Sequence, residues 1–193
     1  AGNQVKLAAT DRFRLALRTF EWDPASPDVQ AKLLVPAKTL LDNARSLDTT
    51  NPVEIAVGTG EQLGAAGLFG IHTDSRETTA RMLDADFPNI QPLLPKTHTS
   101  IASVEIAPLQ EAIRRVSLVT ERNAQIRMQF TDGELILSAV GMDSGHAEER
   151  LPCAFTGKDE LVIAFNPGYL RDGLGVINTS RVVFGFTEPS RPA

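Results

Sequence analysis

Gln125-Ile126-Arg127-Met128-Gln129-Phe130-Thr131-Asp132-Gly133-Glu134-Leu135-Ile136-Leu137-Ser138-Ala139 is the stretch that decides the fold class. Ile126, Met128 and Phe130 alternate with Gln125, Arg127 and Gln129, so an extended chain would have one apolar and one polar face. Asp132-Gly133 follows, a pair suited to the positive φ of a tight hairpin turn. Leu135, Leu137 and Ala139 then alternate with Glu134, Ile136 and Ser138, although Ile136 breaks strict polarity. The stretch reads as an antiparallel hairpin that buries one face.

Working outward, the hairpin is preceded by an apolar strand, a proline and an amphipathic helix. Val104-Glu105-Ile106-Ala107-Pro108 leads into a helix to about Arg122. The same design occurs twice more. Leu33-Leu34-Val35-Pro36 runs into a helix to about Leu47, and Val162-Ile163-Ala164-Phe165-Asn166-Pro167 into a helix to about Ile177. Proline suits a first helical turn, where its missing N–H is not needed, and Asn166 is a good N-cap. Further strands are expected at Val5–Ala8, Arg14–Phe20, Val53–Val57, Leu68–His72 and Thr78–Leu83. Helices that interrupt antiparallel strands indicate an α+β fold with helices on one sheet face, repeated within the chain.

The proline-rich stretch Phe87-Pro88-Asn89-Ile90-Gln91-Pro92-Leu93-Leu94-Pro95 and polar Lys96–Ser100 resemble a domain boundary. It is placed near residue 99, giving domains 1–99 and 100–193. Trp22–Asp28 and glycine-rich Gly58–Gly67 read as surface turns. The first residues enter a strand directly and Arg191-Pro192-Ala193 adds no final element, so a longer natural protein is expected.

The helix wheels assign faces. Leu109, Ala112, Ile113, Val116 and Val119 share one stripe, with Arg114, Arg115 and Arg122 on the far side. Ala37, Leu40, Leu41, Ala44 and Leu47 form the stripe of the first helix, with Lys38, Asp42 and Arg45 pointing away. The third helix buries Leu170 and Leu174 and exposes Arg171. Arginines on an exposed face ordinarily serve solubility. Here the chain carries a net charge of −5, so basic residues recurring on the outer faces of three helices mark segregated charge, as a phosphate-facing surface requires. Leu118 departs from its stripe and sits among the arginines.

Composition narrows the function classes. Hydrophobic residues make up 42% and charged residues 22% of 193, enough for a core in each of two domains. No apolar run of about 18 residues is present, and the N-terminal residues lack the pattern of a signal peptide. Cys153 is the only cysteine, so no internal disulfide can form, which suits a cytoplasmic setting. Its apolar neighbours favour a structural role over a nucleophilic one. His72, His98 and His146 have no partners at metal spacing, and Gly58-Thr59-Gly60 lacks the lysine of a phosphate loop. Glu148-Glu149 reads as a solvated strand end. No catalytic residue, metal or cofactor is expected.

The ordered motifs carry a family resemblance. Leu7-Ala8-Ala9-Thr10-Asp11-Arg12-Phe13-Arg14-Leu15-Ala16 resembles the Ala-Thr-Asp-x-x-Arg-Leu-Ala signature of bacterial DNA sliding clamps, the beta subunits of the replicative polymerase. Thr79 to Pro95, Thr131–Leu135, Ala147-Glu148-Glu149, Ile163–Leu174 and Phe184-Gly185-Phe186-Thr187 follow in the family's order. The resemblance covers essentially the whole chain. It implies most of the clamp's middle domain without its first strands, then the third domain without its C-terminal tail.

In that family two three-domain subunits close into a ring, with sheets outside and helices lining the hole. The resemblance therefore implies a non-catalytic processivity factor in DNA replication that encircles duplex DNA and forms a homodimer. Encirclement removes the objection that the chain is acidic. The resemblance places Lys38, Arg45, Arg114, Arg115, Arg122 and Arg171 toward DNA and Leu118 in the subunit interface. It also implies a peptide-binding cleft between the middle and third domains that receives Gln-Leu-x-Leu-Phe-like segments of polymerase, clamp loader and repair proteins. Matching positions are Thr10, Arg12, Phe13, Arg14, Leu15, Pro88 and Leu93; Pro92 stands where some clamps have arginine. For Leu15, Pro88 and Leu93 core packing is the ordinary alternative. The alternatives in function are a protein-only interaction scaffold of the same fold and, more remotely, an unrecognised enzyme.

Overall fold

The computed structural model describes residues 2–47, 50–58, 67–121, 124–142 and 145–188. The chain divides into two compact units, Ala1–Asn89 and Ile90–Ala193. The division falls at Asn89–Ile90 rather than near residue 99. The segment after Asn89 is anchored in the second unit, where the Thr99 N–H donates to the Phe186 carbonyl at 2.8 Å and the Thr99 hydroxyl to the Thr187 carbonyl at 2.6 Å.

The second unit is built on one six-stranded antiparallel sheet. In chain order its strands are β6 (Ser100–Glu105), β7 (Ile126–Thr131), β8 (Gly133–Gly141), β9 (Gly145–Thr156), β10 (Leu161–Phe165) and β11 (Arg181–Phe186). They lie in the order β10-β7-β8-β9-β6-β11. The hairpin read from the sequence forms with Thr131 opposite Glu134 and Phe130 opposite Leu135. Gly133 has φ +86°, a conformation that disfavours side chains. Helices α2 (Ile106–Val116) and α3 (Pro167–Leu174) pack their apolar faces on the sheet. Leu109, Ala112, Ile113 and Val116 of α2 and Leu174 of α3 are buried with Met128, Phe130, Leu135 and Leu137 of the hairpin. Phe130 sits among Phe155, Phe184 and Phe186, with ring centroids 5.1–6.3 Å away. Cys153 is buried in this core, and burial pushes its thiol pKa up, as expected of a structural cysteine.

Both helices end earlier than the sequence suggested. After Val116 the chain tightens into a 3-10 turn at Ser117–Val119, where the Ser117 hydroxyl donates to the Ile113 carbonyl and the Thr120 hydroxyl to the Ser117 carbonyl. α3 begins as read. The Asn166 side chain accepts from the Gly168 and Tyr169 amides, and Pro167 occupies the first turn. The helix stops at Leu174, where glycines at 173 and 175 weaken its continuation.

The first unit repeats the order of hairpin, extended segment, proline and helix. β1 (Gln4–Thr10) and β2 (Leu15–Glu21) form a two-stranded ladder, and β3 (Glu54–Gly58), β4 (Leu68–Thr73) and β5 (Arg76–Arg81) a separate three-stranded sheet. Leu33–Val35, expected as a strand, has no ladder, although the Leu83 N–H donates to the Leu34 carbonyl at 2.8 Å. Helix α1 covers only Ala37–Ala44. Its expected apolar stripe is buried only in part: Leu40 and Leu47 are half-buried and pack against Phe69, Ile71 and Met82, whereas Ala37, Leu41 and Ala44 are exposed and Asn43 is buried. Asn43 tolerates burial because its amide donates to the Thr39 carbonyl at 2.8 Å. Within the loop read at Gly58–Gly67, residues 59–66 lie outside the described residues.

Candidate functional site

The signature residues Thr10 to Leu15 form the tip that joins β1 to β2, where the ladder closes with Thr10 opposite Leu15. Side chains build this tip. The Thr10 hydroxyl donates to the Arg14 carbonyl at 2.8 Å and accepts from the Arg12 amide at 3.2 Å. Asp11 Oδ1 accepts from the amides of Phe13 and Arg14, each at 3.1 Å, and Oδ2 accepts from Arg14 Nε at 3.0 Å. Desolvation is the largest single influence on the Asp11 carboxylate and pushes its pKa up. Its hydrogen bonds from Phe13 and Arg14 outweigh that and hold its pKa below the ordinary value. Arg12 has φ +78°, the only non-glycine residue with positive φ among the described residues. Phe13 is 74% exposed and Leu15 half-buried.

Of the two remaining cleft candidates, Pro88 is exposed in the first unit and Leu93 is 54% exposed in the second, on the 3-10 turn Gln91–Leu93. Neither belongs to the core of its own unit.

The basic candidates fall into two kinds. Lys38 bonds Asp42 at 2.6 Å and Arg114 bonds Glu111 at 2.8 Å, both pairs being solvent-exposed. Arg115 makes a two-pronged contact with Glu149 of β9, at 2.5 and 2.8 Å, and lies 3.7 Å from Glu111. That contact lowers the Glu149 pKa and raises that of Arg115. Arg45 and Arg171 are exposed and have no carboxylate partner among the described residues. Arg122 lies outside the described residues.

Glu149 corrects one sequence reading. It is not a solvated strand end: its side chain is 24% exposed and is held by Arg115 across 34 positions of sequence. Helix periodicity carries no signal for such a pair, because the partner sits on a strand. Asp11 was also passed over, although it stands inside the signature. Its spacing before two backbone amides is the ordinary sign of an Asx turn.

Leu118 is 79% exposed on the Ser117–Val119 turn, which touches β9. Nearby in sequence to the β8–β9 turn, Val140 and Met142 are 75% and 89% exposed. β9 pairs with β6 only through Ala154, Phe155 and Thr156, so Gly145–Pro152 offers one ladder edge without a β6 partner. Among the described residues no group of three or more His, Cys, Asp or Glu could hold a metal ion, and no helix is long and apolar enough to cross a membrane.

Comparison with known proteins gives one consistent result. A profile of the DNA polymerase III beta subunit, central domain, matches residues 1–89, and one of its C-terminal domain matches residues 91–193. The chain is 43% identical to the beta sliding clamp of Streptomyces coelicolor over its whole length, covering 50% of that protein. It is 41% identical to the beta sliding clamp homolog GriR of Streptomyces muensis, again over all of this chain and 50% of the relative. Among solved structures it resembles the Pseudomonas aeruginosa DnaN sliding clamp bound to griselimycin, with a TM-score of 0.86 and 28% identity over 98% of this chain and 50% of that one. The chain thus spans about half the length of the curated relatives it matches.

Proposed function

This chain belongs to the DNA polymerase III beta subunit family, the beta sliding clamps, and from that premise we propose that it works as a DNA polymerase processivity factor. The observation that carries the reading is the pair of consecutive domain matches, central then C-terminal, which together account for nearly every residue. In this reading the complete protein is a non-catalytic cytoplasmic homodimer. It encircles duplex DNA and tethers polymerase, clamp loader and repair proteins by short peptide segments. Tethering raises the local concentration of polymerase at the primer end without any new contact there.

The net charge of −5 suits topological retention better than adhesion, since a protein held by bulk charge would be basic. Local phosphate contact falls to the helix faces. Arg45 and Arg171, with no carboxylate partner among the described residues, are the strongest candidates; Lys38 and Arg114 share their charge with a neighbouring acid. Arg115 contributes least, because Glu149 compensates it. Domains 1–99 and 100–193, restated as Ala1–Asn89 and Ile90–Ala193, are the middle and third domains of the clamp.

Peptides dock on the Thr10–Leu15 tip, where the largely exposed Phe13 supplies apolar surface, and Pro88 and Leu93 are further candidates that the family resemblance supplies. The Pseudomonas aeruginosa relative that binds griselimycin supports a ligand-binding surface on this fold. Leu118 and the open edge of β9 supply the subunit interface, where an exposed leucine and unpaired ladder groups would both be covered.

The test is primer extension with the complete protein and its polymerase, comparing wild type with a Lys38→Glu, Arg45→Glu, Arg171→Glu variant. The variant is expected to shorten the products strongly while peptide binding persists. Unchanged product lengths would remove the DNA-facing assignment and favour the protein-only scaffold.

A further inference from the structure

Three features of the β1–β2 tip point in one direction. The tip presents a largely exposed aromatic, Phe13, and two arginines, Arg12 and Arg14, on four residues that pair with no third strand. Arg12 is in a left-handed conformation that an arginine adopts only when its surroundings hold it there. The residues that hold it are Thr10, which accepts the Arg12 amide, and Asp11, which accepts the next two amides and the Arg14 Nε. Asp11 therefore satisfies two amides of the tip's backbone and holds the Nε of one guanidinium with a single side chain.

We propose that Asp11 is the positioning residue of the peptide-binding tip: it orients the Arg14 guanidinium for the incoming peptide without touching the peptide itself. The inference rests on the peptide-docking reading above and deepens it. The two carboxylate oxygens have different tasks. Oδ1 serves the backbone amides of Phe13 and Arg14, whereas Oδ2 serves only the arginine side chain. Asp11→Asn separates these tasks, because the carboxamide keeps an acceptor for the backbone but replaces the acceptor for Nε with a donor. Asp11→Ala removes both.

The experiment is a fluorescence-anisotropy titration of a labelled Gln-Leu-Ser-Leu-Phe peptide with the complete protein, in wild type, Asp11→Asn, Arg14→Ala and the double variant. Asp11→Asn is expected to bind roughly three- to tenfold more weakly, the range of a partly exposed charge-assisted bond. In the Arg14→Ala background Asp11→Asn should bring no further loss, because its effect passes through Arg14. Asp11→Ala, which also frees two backbone amides, should bind more weakly than Asp11→Asn. A general loosening of the tip would instead lower affinity equally in both backgrounds, and that additive result would overturn the positioning role. Full affinity in Asp11→Asn would overturn it too. If wild type itself fails to bind, the peptide-docking reading falls and takes this proposal with it.

The pH response is a second readout. Asp11 has a depressed pKa, so its contribution is present above the ordinary carboxylate range and is lost as pH falls through the lowered value. Wild-type affinity should hold from pH 8 to about 5, with the ratio between wild type and Asp11→Asn constant across that window. A ratio that collapsed well above the carboxylate range would contradict the assignment.

Discussion

The two units use the same order of hairpin, extended segment, proline and helix, but bury it to very different degrees. In the second unit the hairpin β8–β9 continues into a six-stranded sheet, and two helices seal one face over a single contiguous core. In the first, the hairpin β1–β2 and the sheet β3–β5 are separate, and the buried hydrophobic core among the described residues is Phe69, Ile71 and Met82. Leu7, Leu17 and Phe20 of the β1–β2 hairpin stay 42–45% exposed, and Ile55 and Val57 of β3 stay 40% exposed. An amphipathic motif is thus only half of a folding instruction. Alternation decides which side chains could be buried; a continuous sheet decides whether anything covers them.

The largest expected contrast is in core truncation. Phe130→Ala in this 193-residue chain should lose about 3–5 kcal/mol of stability in urea unfolding, because Phe130 is fully buried among other aromatic rings. Phe20→Ala, at a 42% exposed position, should lose about 1 kcal/mol or less. Comparable losses would show that the first unit is sealed in solution to the same degree as the second. Next in size is the helix cap. Asn166→Ala should cost about 1 kcal/mol through two backbone amides of α3, whereas α1 starts at Pro36 with no side-chain cap to lose. Hydrogen exchange sharpens the same contrast without mutation: amides of β7 and β8 should exchange through global opening, and those of β1 and β2 much sooner.

The smallest effect concerns Arg115 and Glu149. Their hydrogen bond lowers the Glu149 pKa, so the pair stabilises the fold above the ordinary glutamate range and stops doing so as pH falls through the depressed value. Glu149→Gln should therefore be less stable than wild type at pH 7, with the gap closing in acid. A gap that stayed constant to low pH would mean the pair contributes by packing rather than charge.

What the sequence disclosed follows the same division. The hairpin at Asp132-Gly133, the apolar stripe of α2 and the Asn166 cap were all legible, because each is a local pattern that its surroundings reinforce. The stripe of α1 was legible only in part: Leu40 and Leu47 pack against the core as the wheel suggests, but the wheel cannot show that Leu41 and Ala44 stay exposed while Asn43 is buried. Leu33–Val35 has the composition of a strand and lacks a ladder to join. At the candidate site, the signature residues share one tip, and Lys38, Arg45, Arg114, Arg115 and Arg171 are exposed as the helix wheels suggest. The roles of Asp11 and Glu149 depend on which atoms meet across the fold, and charge composition alone makes both look like solvated acids.

The most direct test of the central claim, retention by encirclement rather than by charge, is a comparison of DNA topology. The complete protein would be loaded by its clamp loader onto nicked circular DNA, washed at high salt, and counted before and after linearisation. The account predicts that the protein stays on the circle through the wash and is lost once free ends appear, since a ring around duplex is indifferent to screening. Loss from the intact circle at high salt, or equal retention on circular and linear DNA, would contradict it.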